Sequence, residues 1–318
     1  MRRALWLGLL TLSCLGPTDD ASEVHDLRVL AVNTEPPDLM AAPCAAANPF
    51  SLECLPSLLV WGSPVKMTWL IEDPKGAGRK LNYQVLACAN QGDLRCEDEG
   101  DFVQLAASTW VADAGELSLS LNPGATFVDD GGQTLLQEVQ AQDGYRGLGG
   151  LRMPIVLHLR AGTEEVYAQK LMVFTYPFFP TMKQNVNPTL PGIQFIDGDA
   201  GVWGANDLPQ FVGRPDAGVR LEPVPFLDLQ ESYVVPSFEL KPLALVEAWK
   251  VAWHTDVGHF TPTETGGVGL DGEVSRHRVS WAPLNAEMIE KDVNFWFVVR
   301  DGRGGQSWIS RRAHWKPR

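Results

Sequence analysis

Apolar residues in this chain recur at period two over short stretches, and almost nowhere at helical spacing. Leu117, Leu119 and Leu121 alternate with Ser118 and Ser120, and Val65, Met67, Trp69 and Ile71 share one side of VKMTWLI. Successive side chains of an extended backbone point to opposite faces, so such runs fit strands with one face buried. Leu27–Val32 and Leu81–Cys88 read the same way, separated by turn signals such as the Pro-Pro of 33–37 and Asp73-Pro74-Lys75-Gly76. Ile155, Leu157 and Leu159 open another run, and a turn at 161–165 returns the chain along Val166–Tyr176 as a hairpin. Thr134–Gln142 is the one short stretch that reads as a helix. Sheets of this kind bury themselves by stacking on one another, which predicts an all-β chain.

A length of 318 residues suggests two domains. Tyr176–Leu190 holds three prolines and no periodicity, and the linker is placed at 179–190. Beyond it, strands are expected at Ile193–Ile196, Val219–Leu221, Leu245–Trp253 and His277–Trp281, then a hairpin of Val293–Arg300 and Gln306–Arg312 around the turn 301–305. Each unit opens on one apolar strand and closes on a hairpin, without a residue-level repeat. The pattern predicts two tandem immunoglobulin-like β-sandwiches, 27–178 and 191–318. Tryptophan is abundant, with 11 residues. Trp249, Val251 and Trp253 share a face, while Trp296 lies opposite Phe295 and Phe297, so that strand is apolar on both sides. Core packing accounts for most of these rings. Trp61, beside Gly62, and Trp203, in VWGAND, read as loop-borne and are the candidates for ligand contact.

The N-terminus fixes the expected compartment. Arg2 and Arg3 precede a short apolar run, Ala4–Leu12, too short to cross a bilayer and of the kind found in export signals. Leu10-Thr11-Leu12-Ser13-Cys14 resembles the lipobox of bacterial lipoproteins, with Thr11 where that family most often has Leu. The resemblance implies a signal peptide over 1–13, a diacylated Cys14 and a lipidated tether over 14–26; the alternative is an ordinary cleaved signal. Two or more acyl chains suffice for stable anchoring. Leu15 after the cysteine resembles the sorting pattern of outer-membrane rather than inner-membrane lipoproteins. Four cysteines remain: Cys44, Cys54, Cys88 and Cys96. They allow three connectivities, and Cys44–Cys54 with Cys88–Cys96 is preferred because each closes a short turn-rich loop. Neither pair has the spacing of a zinc ribbon.

Chemistry leaves few marks. No HExxH, GxSxG or Walker A pattern occurs, and no cofactor is implied. His254 and His259 in HTDVGH could share a metal but lack a third ligand, and read more readily as surface residues beside a turn. Asp197, Asp199 and Asp207 form a weak calcium candidate; an EF-hand would need Glu where Leu208 stands, and the plain alternative is a Gly/Asp turn like 129–132. With 39 acidic against 26 basic residues and a net charge of -13, neither nucleic acid nor anionic lipid headgroups are expected partners. The opening LRVLAVNTEPP behind the lipobox and the closing VVRDGRGGQSW resemble envelope lipoproteins of bacteria that carry Ig-like or PKD-like domains. That implies a non-catalytic envelope protein acting through protein contacts, adhesion or assembly, held at the membrane through Cys14. A carbohydrate- or polymer-binding surface module is the alternative, and a hydrolase a more distant one, since carboxylates from separate strands can converge without a local motif.

Overall fold

Strand β1 (Arg28–Glu35) opens the first unit, followed by β2 (Asp38–Met40), the single turn α1 (Leu55–Leu58), β3 (Val65–Glu72), β4 (Lys80–Cys88), β5 (Phe102–Val111), β6 (Glu116–Leu121), α2 (Leu135–Gln142), β7 (Leu151–Ala161) and β8 (Glu164–Thr175). The computed structural model describes residues 21–44, 52–74, 76, 78–92, 94–96, 102–111, 115–126, 132–145, 147–196, 201–213, 218–267, 277–283 and 289–318. The signal segment 1–13, Cys14, Asp197, Asp199 and the turn residues 129–131 lie outside them.

One sheet runs β1-β3-β6 and faces a second, β2-β8-β7-β4-β5. Between them lie Met67, Trp69 and Ile71 from β3, Val85 from β4, and Ile155, Leu157 and Leu159 from β7. These are the period-two positions, so alternation in sequence becomes alternation between core and exterior. Helix α2 forms where expected and carries a reciprocal cap: the Gln137 amide donates to Thr134 Oγ1 at 3.3 Å, and the Thr134 amide to Gln137 Oε1 at 2.8 Å. Its Leu135, Leu136 and Val139 join the same core.

The second unit comprises β9 (Ile193–Phe195), β10 (Gln210–Gly213), β11 (Val219–Pro223), β12 (Ser232–Pro236), β13 (Pro242–Val246), β14 (Lys250–Thr255), β15 (His259–Thr261), β16 (Glu264–Gly266), β17 (Val279–Ala282), β18 (Lys291–Arg300) and β19 (Gln306–Pro317). Sheet β15-β17-β11-β9 packs on β10-β19-β18-β14-β16. The two units share one plan. In each, a short early strand runs parallel to the last strand, β2 with β8 and β10 with β19, while the last two strands form the antiparallel hairpin. This is the immunoglobulin-like arrangement twice over, so the fold class is all-β. One expected strand is corrected. Leu245–Trp253 divides into β13 and β14, because Glu247 and Trp249 turn inward at the break between them.

The units are joined by a packed seam. Leu30, Ala31 and Leu70 of the first unit bury against Ala252, Trp296 and Val298 of the second. The reading of 14–26 as tether is corrected over its last part: Val24 is 0% exposed in this seam. The Val24 amide donates to Thr255 O at 2.7 Å, the Thr255 amide to Ser22 O at 2.9 Å, and the Phe260 amide to Ser22 Oγ at 2.9 Å. The first two bonds add this stretch to the edge of β14, and the third ties it to β15. The segment read as linker is likewise held. Asn187 Nδ2 donates to Thr34 O at 2.9 Å while its Oδ1 accepts from the Gln306 amide at 3.0 Å. A loop whose polar side chains are spent on both domains leaves little freedom between them.

Glu72, at the end of β3, meets this seam. Burial pushes its carboxyl up to about 7, a hydrogen bond from Trp296 opposing and the charge of Asp256 adding. A carboxyl raised in the folded chain favours folding most while protonated. Its contribution is therefore complete below the ordinary value near 4.5 and is lost as pH rises through about 7. Glu72→Gln should flatten the fall in stability between about pH 5 and 8 in urea titrations; an unchanged slope would remove Glu72 from the seam's titration.

Candidate interaction surface

The sequence Asp301-Gly302-Arg303-Gly304-Gly305 builds the centre of the site. Asp301 folds the turn onto itself, accepting from the Arg303 amide at 2.6 Å and the Gly305 amide at 2.9 Å. Glycine is required at 305, where a Cβ would lie 2.2 Å from Asp301 Oδ2. The other Asp301 oxygen also accepts from Asn185 Nδ2 at 2.7 Å, and the Asn185 amide donates to Asp38 Oδ1 at 3.0 Å. One asparagine of the interdomain segment thus ties a strand of the first unit to the last hairpin of the second. Burial raises the carboxyls of both Asp38 and Asp301 above the usual range, against these hydrogen bonds. Lys170 reaches the same turn and donates to Gly304 O; burial brings its ammonium down to about 8.

Arg303 projects from the turn onto the ribbon β12–β13. Its Nη1 donates to Glu247 Oε1 at 3.1 Å and Glu231 Oε2 at 3.3 Å, and its guanidinium carbon lies 4.2 Å from the centre of the Tyr233 ring. Glu247 is buried, with its second oxygen accepting from the Trp249 indole at 2.8 Å and the Glu231 amide at 3.1 Å. The base of the ribbon is therefore fixed by a desolvated ion pair, and its far end stands free. Phe238 at the tip is 85% exposed, and Leu240, Leu243, Leu245 and Val246 are exposed as well. An apolar two-stranded ribbon in solvent is unusual unless something covers it.

Between this ribbon and the first unit lies a cleft of about 370 Å³. Asp38, Met40, Leu171, Val173 and Thr175 of β2 and β8 form one side, and Tyr233–Pro236 of β12 the other. Met182, Lys183, Arg152 and the 302–304 turn complete the rim. Arg152 donates only to the carbonyls of Gly149 and Gly150, at 3.3 and 3.4 Å. Among the described residues, neither Arg152 nor Lys183 has a carboxylate partner.

The residues singled out by sequence fall elsewhere. Trp61 and Trp203 are corrected from loop-borne contacts to core: they are 5% and 1% exposed. Trp203 is drawn in by its amide bond to Ile193 O at 2.7 Å and packs among Phe195, Phe211 and Phe295 at 5.3–5.6 Å. Trp61 sits edge-on to Phe174, over a glycine, Gly124, whose Cβ would strike its carbonyl. Cys44–Cys54 and Cys88–Cys96 are disulfides, each with Cα atoms 5.6 Å apart. Asp207 accepts from the Gly204 amide at 2.8 Å, a local turn, and its two calcium partners lie outside the described residues. His254 and His259 stand on strands of different sheets, β14 and β15. Burial brings His254 down to about 4, with Arg300 and Arg28 adding to it. Among the described residues no cluster of three or more metal-ligating side chains occurs.

No family model matches this chain, and no curated protein does. Among solved structures, Escherichia coli alpha-2-macroglobulin activated by porcine elastase overlaps 93% of the chain with 10% identity and a TM-score of 0.26; the chain spans 22% of that protein's length. A chimeric titin Z1Z2-Z1Z2 tandem overlaps 81% of this chain and 92% of its own, at 7% identity and a TM-score of 0.21. Titin domains Z1Z2 in complex with telethonin overlap 81% and 90%, at 12% identity and 0.17. The strand order, rather than these overlaps, defines the fold.

Arg303→Met should leave Glu247 buried without its cation, lowering stability by about 3 kcal/mol in denaturant titrations. Amide exchange should accelerate first in 232–246; uniform acceleration through both sandwiches would mean that the ribbon is not the element Arg303 holds.

Proposed function

We propose that the chain is a cell-envelope protein, anchored by lipid on Cys14, that acts without catalysis by holding another polypeptide against its domain junction. The observation that carries this is the cleft bounded by a rigid seam on one side and an exposed apolar ribbon on the other. Two disulfides mark an oxidising compartment outside the cytoplasm. Among the described residues no helix is long and apolar enough to cross a membrane, so the attachment proposed is through lipid. Asp38 and Asp301 are engaged through Asn185 in joining the domains, which supports a structural role for these two buried carboxylates. The sugar-binding alternative loses the two loop tryptophans that motivated it, since both rings are core.

Fractionation tests the anchor. The native chain should partition with membranes and carry acyl mass on Cys14, whereas Cys14→Ala should be released in soluble form with its disulfides intact. Identical fractionation of the two, together with no acyl mass on the native chain, would remove lipid from the reading.

A further inference from the structure

We propose that the domain-junction cleft receives an extended acidic polypeptide strand, which pairs its backbone with Val234 on the free edge of β12 and sets carboxylates against Arg152 and Lys183. This rests on the reading of the chain as an interaction protein and names the chemistry of the partner.

The backbone argument comes from the register of the ribbon. Ser232 pairs with Val246, Tyr233 with Leu245, Val234 with Ala244 and Val235 with Leu243. The Ser237 amide donates to Lys241 O and the Glu247 amide to Glu231 O, so the hydrogen-bonded pairs are the odd-numbered ones. Val234 therefore points its amide and carbonyl away from β13, at the free edge of the ribbon, and the residue lines the cleft. A strand laid alongside satisfies a donor and an acceptor on one residue together. Pro236 has no amide to offer and confines the addition to a short stretch.

Charge selects the partner. The body as a whole is acidic, at -13, yet the cleft gathers Arg152, Lys183 and Arg303 against one acid, Asp38. Arg303 is spent on Glu231 and Glu247, which leaves Arg152 and Lys183 as lining cations without an ion-pair partner among the described residues. Asp38 is engaged by the interdomain segment, its Oδ1 accepting from the Asn185 amide at 3.0 Å. Met40, Leu171, Val173 and Val235 supply an apolar part of the lining. A chain alternating aliphatic and acidic side chains matches both features, one face on the lining and the other on the cations. The opposite edge, on β13, turns the backbone groups of Ala244 and Val246 outward, away from this cleft.

The test uses the purified full chain and a fluorescein-labelled peptide of alternating valine and glutamate, read by anisotropy. A lysine-for-glutamate counterpart and a version N-methylated at alternate residues serve as controls. The acidic peptide should bind, and both controls should bind at least about tenfold more weakly. Lys183→Glu, at an exposed position whose melting curve should be unchanged, and Arg152→Glu should each weaken binding by about fivefold or more, and added salt should do the same. Equal affinity for the glutamate and lysine peptides, or unchanged affinity in the double variant, would overturn the proposal. Full binding of the N-methylated peptide would remove the strand pairing. If phosphatidylglycerol vesicles bind through the same two cations and displace the peptide, or if sedimentation shows a dimer lost in the double variant, the occupant is a membrane or a second copy instead. Peptide binding does not depend on Cys14, so failure of the lipid anchor and failure of this site are separately visible.

Discussion

Strand β18 belongs to two cores at once. Phe295, Phe297 and Val299 point into the second sandwich, and Trp296 and Val298 between them point into the seam with the first. Alternation of side chains along one strand therefore joins the domains with no additional element. The other interdomain contacts depend on that double burial: β1 lies against β19, the interdomain segment is trapped across the top, and the Asp301 turn is carried to Asn185. Asn33 then adds a hydrogen bond to Gln306 O at 2.6 Å, and Trp308 one to Glu116 at 2.9 Å. Removing the Trp296 side of β18 would leave the angle between the sandwiches to hydrogen bonds such as those of Asn185 and Asn187.

A fixed angle is what makes the cleft a site. Its two sides come from different domains, so relative motion of even a few ångströms would change its width. Asp38, Asn185 and Asp301 hold the junction by hydrogen bonds whose groups are costly to leave unpaired when buried. The ribbon β12–β13 is fastened to the same turn by Arg303 and Glu247. The residues that fix the junction therefore also set the width of the cleft and hold the ribbon beside it.

The fold was legible where burial is one-sided. Leu117, Leu119 and Leu121, the hairpins that close each unit, and the two local disulfides all follow from short-range pattern. The double apolar face around Trp296 was visible too, although the second face proves to serve a neighbouring domain. The ribbon was not legible, because PLALV is short, begins with proline and is exposed along its length, the reverse of the pattern that marks a half-buried strand. Trp203 shows a related limit: VWGAND has loop composition, but a single backbone bond to Ile193 turns its ring inward. The Asn185–Asp301 contact spans 116 residues. Nothing local distinguishes that asparagine from Asn187 or from any other polar residue in a proline-rich segment.

The Ser22–Val24 edge on β14 fixes where the N-terminal segment joins the folded body. On the lipid-anchored reading, seven peptide links separate Cys14 from Ala21, a leash that spans at most about 25 Å when fully drawn out. The leash ends on the second sandwich, the one encoded last. The C-terminal domain would then lie nearest the bilayer and the N-terminal domain would sit farther out or alongside it, inverting the order expected of beads strung from an N-terminal anchor.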